Sequence, residues 1–344
     1  MPLPAPAITS TAPSVSSTGA RCSGLSFSKI SLICILSLIF FLRISFYHKP
    51  TVFSRKTAVI IAISRAVCYD VFMAKYPLKK LRAVVSGASS GIGRELVKRL
   101  VDEYGCEVYG AGRNEERLEE LKNSLKNGKN FRYALFDVSD EKSWRAFAEK
   151  LEKEGFAPDM LVNNAGYLLP FGKAEKHSVK EAENILSTNY LSCVYSFHAF
   201  LPLLKKSAAP AVVNVSSSAA LAPVAGTALY SASKAALKSF TECLAMDYKG
   251  EIYIAGVYPG FTKTAIFSHQ KRNADSKLID AVTMPVDKAV KRILKKLKRK
   301  KTYIVTGADA KAMNFFYRLF PRLTANAIRG VLKQSNMDIF KDVF

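Results

Sequence analysis

Arg82-Ala83-Val84-Val85-Ser86-Gly87-Ala88-Ser89-Ser90-Gly91-Ile92-Gly93 is the stretch on which the reading of the chain turns. Its first five residues form a short, largely apolar run. The next seven are a turn rich in glycine and serine, and residues 94–103 beyond it carry helical periodicity. A strand feeding a helix through such a turn predicts an α/β unit. Glycines there allow a tight backbone, so the chain can come close to an anionic group seated on the positive helix N-terminus. A glycine-rich turn alone is weak evidence. Its place between a first strand and a first helix gives it weight.

Outward from this unit the alternation continues. Strands are expected at 107–111, 131–136, 160–162, 211–215, 252–258 and 302–305. Helices are expected at 115–125, 141–152, 179–206, around Tyr230, and at 287–300. The strands are apolar throughout, which predicts a Rossmann-like, doubly wound, seven-stranded parallel sheet with helices on both faces.

The 344 residues carry a formal charge of +23, which suits acidic partners such as nucleotide phosphates, an anionic membrane surface or an acidic carrier protein. No zinc-finger spacing or RNA-binding aromatic signature supports nucleic acid. The six cysteines form no CxxC pair and the four histidines no metal-ligand spacing. No metal site or disulfide framework is therefore expected.

Residues 1–28 are rich in Pro, Ser, Thr and Ala and are expected to be disordered. The apolar run over 30–42, extended through Tyr47 with Arg43 snorkelling, would reach ~27 Å as a helix, close to a bilayer core. Residues 29–47 are therefore a candidate membrane anchor. Lys49, Arg55 and Lys56 after it would leave the following domain on the cytosolic side. A cleaved targeting peptide stands beside this reading. So does a shorter chain starting at Met73, which would be soluble and cytoplasmic. Residues 48–77 read as a linker, 78–306 as a single domain, and 307–344 as a helical C-terminal extension.

Chemistry concentrates in Tyr230-Ser231-Ala232-Ser233-Lys234, where helical spacing puts tyrosine and lysine on one face. A tyrosine titrates near ~10, so acid/base work at neutral pH needs a shift of roughly three units, about 4 kcal/mol. A close, partly desolvated lysine has the right sign to supply it. For a dinucleotide, Ser86, Gly87, Ser89, Ser90, Gly91, Ile92 and Gly93 would form the pyrophosphate turn. The second strand ends in Ala111-Gly112-Arg113-Asn114, with no acid for a ribose diol. Arg113, assisted by Arg94, would instead pair with a 2′-phosphate, which favours NADP(H) over NAD(H). Asp137-Val138 would receive the adenine amine. Asn164, Ala165 and Gly166 end the fourth strand, where small residues leave room for the nucleotide. Tyr167, Leu168, Leu169 and Phe171 would line an apolar cleft.

Together these residues resemble the short-chain dehydrogenase/reductase family in its single-domain form. SGASSGIG resembles the family's TGxxxGIG turn, with Ser86 in place of threonine and the hydroxyl kept. NNAG, the YxxxK pair, and Pro259-Gly260 with Thr264 follow in family order. The resemblance implies Tyr230 as acid/base, Lys234 as the residue that lowers its pKa and holds the nicotinamide ribose, and Ser217 as the hydroxyl at the substrate oxygen. Ser216 and Ser218 flank Ser217, so that assignment can slip by one. Asn189 matches the residue that holds a water linking the lysine to solvent. Pro259, Gly260 and Thr262, with Thr264, match the segment facing the nicotinamide amide. Residues 265–284 match the segment that sets substrate choice.

The implied function is an NADP(H)-dependent oxidoreductase that reduces a hydrophobic ketone or aldehyde, or runs the reverse oxidation. A 3-oxoacyl-carrier-protein-type reductase and a catalytically silent nucleotide-binding regulator are the alternatives. A homodimer or homotetramer through the long helix and the Tyr230 helix is implied by resemblance.

Overall fold

In the computed structural model, β1 (Arg82–Ser86) lies inside the sheet, with four of its five residues buried. The structure describes residues 75–263, 283–335 and 340–344. The disordered segment, the anchor and most of the linker expected over 1–77 lie outside them, as do Thr264 and nearly all of the substrate-choice segment. Among the described residues no helix is long and apolar enough to cross a membrane. All described residues belong to one compact unit, Met73–Phe344.

After β1 come α1 (Gly91–Asp102), β2 (Glu107–Gly112), α2 (Glu115–Ser124), β3 (Phe131–Leu135), α3 (Glu141–Lys153) and β4 (Met160–Asn163). Then follow α4 (Val179–Leu186), α5 (Ser192–Leu204), β5 (Ala211–Val215), α6 (Ala228–Asp247), β6 (Tyr253–Pro259), α7 (Val286–Leu297), β7 (Tyr303–Thr306), α8 (Ala308–Leu319) and α9 (Pro321–Gln334). All seven strands are parallel, in the order β3-β2-β1-β4-β5-β6-β7. The doubly wound sheet read from the sequence is the fold observed.

Strand side chains alternate between two cores, as the period of two requires. Ala83, Val85, Met160, Val162, Val213 and Ala255 face the core completed by α1 and α7. Val84, Leu161, Val212 and Ile254 face the other, filled by Trp144 and Phe147 of α3 and Phe197 and Phe200 of α5. Burial on both faces explains why the central strands are apolar without alternation. On α7, Ala289, Val290, Ile293, Leu294 and Leu297 form the apolar stripe of an otherwise basic helix.

Two boundaries depart from expectation. Tyr76, assigned to the linker, is buried, and its hydroxyl donates to Ala209 O at 2.9 Å, so the packed chain begins before Leu78. The single helix expected over 179–206 is interrupted by a π-turn at Ser187–Leu191. One extra residue in that turn rotates Asn189 inward, where it is fully buried.

Candidate active site

The sheet order reverses between β1 and β4, and there the strands' carboxyl ends open a cleft of about 380 Å³. Gly87, Ser89, Ser90, Gly91 and Ile92 line one end. Arg113, Asp137, Val138, Asn164, Ala165 and Gly166 lie along it, and Ser217, Tyr230, Lys234, Pro259, Gly260 and Thr262 line the other. Ser86, Gly93 and Asn189 sit behind this surface and hold it in shape.

The Ser86 hydroxyl accepts the backbone N–H groups of Asn164 (3.0 Å) and Ala165 (3.1 Å), so the end of β1 is tied to the end of β4. Asn164 returns the tie, donating Nδ2 to the carbonyls of Ser86 (3.1 Å) and Gly87 (3.2 Å). Gly87 has φ +65°, and a Cβ there would stand 2.9 Å from Ala165 Cα. A Cβ on Gly93 would collide with Gly87 O and Asn164 Nδ2, so the helix can meet the turn only through glycine. Ser90 leads into α1 without a side-chain cap, which leaves the helix N-terminus open toward the cleft.

At the end of β2 the arginines differ from expectation. Arg113 pairs with Asp137 at 3.1 Å. Arg94 is turned away, with Nη1 on Arg117 O (3.2 Å) and 3.6 Å from Glu120. The second arginine lining the cleft is Arg117, in the first turn of α2. Asp137 is also engaged, taking the N–H and the hydroxyl of Ser139 on Oδ1 at 2.9 and 2.7 Å. Burial pushes its carboxyl up, but those hydrogen bonds and Arg113 outweigh burial and hold it below the usual range.

At the other end α6 is seated by buried hydrogen bonds. Asn163 accepts from Ser196 (2.7 Å) and donates to Asn214 (2.9 Å), and Asn214 donates to Thr241 (2.9 Å), which joins α5, β4, β5 and α6 beneath the cleft. Lys234 is 3 % exposed and donates Nζ to Val215 O at 3.1 Å. Burial pushes its ammonium down to about 8. Ser216 Oγ donates to Lys234 O (2.8 Å), while Ser217 hydrogen-bonds the Tyr230 side chain. Of the three serines, Ser217 is thus the one that meets the phenol. Asn189 grips both backbone groups of Tyr167 (2.9 Å each) and donates to Ser233 (3.0 Å). A Cβ on Gly166 would sit 2.9 Å from Asn189 Oδ1 and 3.1 Å from Lys234 Nζ.

From the sequence, Lys234 is expected to draw the phenol toward neutrality. In the fold, burial lifts the Tyr230 phenol above its ordinary value, and the Ser217 hydrogen bond opposes that rise. Lys234 Nζ lies 6.0 Å from the ring centroid and is engaged by Val215 O, which weakens any pull it exerts.

Several residues of the site escaped the sequence reading. Leu168 and Phe171 line the cleft as expected, but behind them stand Phe340 and Val343 from the C-terminus. The Phe171 and Phe340 rings are 4.9 Å apart, and Tyr230 touches the same cluster. Asp309, at the start of α8, accepts the N–H of Phe261 at 2.7 Å and packs against Gly260 and Gly307, where a Cβ would collide with it. The only sequence sign of Asp309 was its Gly307-Ala308-Asp309 helix-start pattern.

Residues 81–275 match the short chain dehydrogenase family. Over 193 residues the chain is 33% identical to the NADP-dependent 3-hydroxy acid dehydrogenase of Escherichia coli K12, covering 56% of this chain and 77% of that one. It is 33% identical over 201 residues to sulfoacetaldehyde reductase 2 of Chromohalobacter salexigens, with 58% and 79% covered. A short-chain dehydrogenase/reductase from Burkholderia phymatum, solved in complex with NAD, superposes with TM-score 0.64 at 22% identity, over 72% of this chain and 96% of that one. At that identity the likeness speaks for the fold alone. With the glycine-rich turn, the parallel sheet and the family match in agreement, the chain belongs to the short-chain dehydrogenase family and is an NAD(P)-dependent oxidoreductase acting on CH–OH groups and their carbonyl counterparts.

Proposed function

We propose that the protein is an NADP(H)-dependent reductase of a hydrophobic ketone or aldehyde, or the dehydrogenase of the matching alcohol, with Tyr230 moving the proton at the substrate oxygen. The observation that carries this reading is the meeting of Tyr230, Ser217 and Lys234 in the cleft that the glycine-rich turn also lines. The residues fit a phosphorylated dinucleotide: an open helix N-terminus at one end, Arg113 and Arg117 beside it, and glycine at 166 where any side chain would crowd Lys234 and Asn189. When bound, the dinucleotide supplies the hydride or accepts it.

Ser217 and Tyr230 place two hydroxyls where negative charge develops on the substrate oxygen. The Tyr230 phenol carries its proton at neutral pH and so is the proton-bearing partner in reduction; burial opposes its release and Ser217 favours it. Lys234 offers its remaining N–H bonds to the ribose. Asn189 fixes Tyr167 and Ser233 around the pair and acts as a positioning residue.

An apolar substrate is supported by Leu168, Phe171 and Val224 on the wall near Tyr230. The E. coli relative is named for a hydroxy acid. Besides Lys234, the only cations lining the described cleft are Arg113 and Arg117, both at the glycine-turn end. No described cation is thus left for a substrate carboxylate. A carrier-bound 3-oxoacyl group is the second reading, favoured by the run of cations on α7. The proposal also includes the anchor at 29–47 and a homo-oligomer formed through α4–α5 and α6.

The test is turnover of NADPH and NADH across a panel of free and carrier-bound carbonyls, with Tyr230→Phe as control. NADPH should be preferred at least ~10-fold, as expected if one or two charge-assisted bonds hold the 2′-phosphate. Tyr230→Phe should lose about 10³-fold in kcat while binding NADPH normally. Tight NADPH binding with no turnover of any carbonyl would overturn the reading in favour of a regulator.

A further inference from the structure

Of the eleven large hydrophobic residues exposed among the described residues, seven lie beyond Gly307. Phe315, Phe316 and Leu319 share one side of α8 and Phe320 follows at its junction with α9, each more than half exposed, with Leu323 on α9 at 68 %. The opposite side of the same pair is committed inward: Met313, Ile328 and Leu332 pack on the cluster that includes Tyr230. An inward face that is satisfied and an outward face of clustered phenylalanines is not an ordinary solvent surface.

The surrounding charge is predominantly positive. Residues 307–335 hold a single acid, Asp309, and it is turned inward onto Phe261 N. On α7 the cations Lys288, Lys291, Arg292 and Lys295 have no acidic partner among the described residues, and neither do Lys311, Arg322 and Lys333 on α8 and α9. The two basic regions adjoin: Lys296 of α7, donating to Val305 O at 2.6 Å, is held below its ordinary value by burial first and then by Lys311 and Arg292. A second copy of this chain would set cations against cations. An anionic bilayer answers both features, because aromatic side chains settle at the headgroup boundary and lysines and arginines meet lipid phosphates.

We propose that the outer face of α8 and α9, with the adjoining cations of α7, docks on an anionic membrane surface, Phe315, Phe316, Leu319 and Phe320 entering the headgroup–acyl boundary. This rests neither on the reaction proposed above nor on the apolar run over 30–42.

The full chain has a single tryptophan, Trp144, which is buried. Phe316→Trp therefore adds a reporter local to the face, readable even in a chain already held at the bilayer elsewhere. Vesicles of phosphatidylcholine with about one-third phosphatidylserine and brominated acyl chains should shift its emission to the blue and quench it, while wild-type emission stays unchanged. Adding Arg322→Glu and Lys333→Glu should weaken the quenching about tenfold in apparent partition. Phe320→Trp serves as a second reporter should the first variant fold poorly. Three outcomes would overturn the proposal: both reporters staying open to aqueous iodide with and without vesicles, protection that grows with protein concentration in the absence of lipid (a second copy), or protection by an acidic carrier protein and not by vesicles.

Discussion

The two ends of the cleft are built by different means. The glycine-turn end is made of backbone: Gly87 and Gly93 leave no room for a Cβ, and Ser86 and Asn164 bind main-chain groups of the facing strand. The tyrosine end is made of side chains drawn from far along the sequence, with Leu168, Phe171, Val224, Tyr230, Phe340 and Val343 in one cluster. A backbone cradle suits a constant ligand. A side-chain wall can be changed one residue at a time, which suits a varying substrate. The two ends should therefore fail separately.

The largest expected effect is at the backbone end. Gly93→Ala should destabilise the fold by about 3 kcal/mol, the upper range for overpacking, because both colliding atoms are fixed by the turn itself. Chemical denaturation measures this, and the KM for NADPH should rise with it. A stable Gly93→Ala enzyme with unchanged KM would break the comparison.

Next comes Lys234, which the fold lowers from an ordinary 10.5 to about 8 by burial. The unfolded chain therefore binds this proton more tightly than the folded one, and stability should rise with pH between about 8 and 10.5. The burial penalty is complete below pH 8 and amounts to on the order of 3 kcal/mol. Lys234→Met should be the more stable protein at pH 7, with the gap to wild type closing as pH approaches 10.5. Urea midpoints across that window check it, and a gap independent of pH would refute it.

At the side-chain end, Phe340→Ala should alter the KM of a bulky apolar carbonyl about tenfold and leave the KM for NADPH within about twofold, since the ring touches Phe171 and not the glycine turn. Equal changes in both constants would mean that the wall and the cradle act as one unit. The smallest effect should come from Asp309→Asn, which weakens the bond to Phe261 N by about 1 kcal/mol and raises the KM for NADPH severalfold. Asp309→Ala, which frees that N–H entirely, should do more.

The same division explains what could be read from the chain. All seven strands were legible because each is short, apolar and followed by a turn signal, and their order placed the glycine-rich segment at the switch point. The cradle was legible because its residues are contiguous and their chemistry is local. Ser217 remained one of three serines until the fold turned Ser216 onto Lys234 O. Arg117 was hidden because it sits inside α2, past the strand end that Arg113 marks, and only packing shows that Arg94 faces elsewhere. The inward turn of Asn189 depends on one extra residue in a helix, to which apolar periodicity is insensitive. Phe340 and Val343 lie more than a hundred residues from Tyr230, and no local pattern marks them as part of its wall.

That residues 340–344 help enclose the site has a practical side. Lys173 N donates to Asp342 O, and Val343 is buried beside Gly226, so an affinity handle attached next to residues 340–344 would lever on the very segment that shapes the pocket. Recombinant protein bearing such a handle would then report a distorted substrate preference, and a cleavable or internal label is the sounder choice for any assay of selectivity.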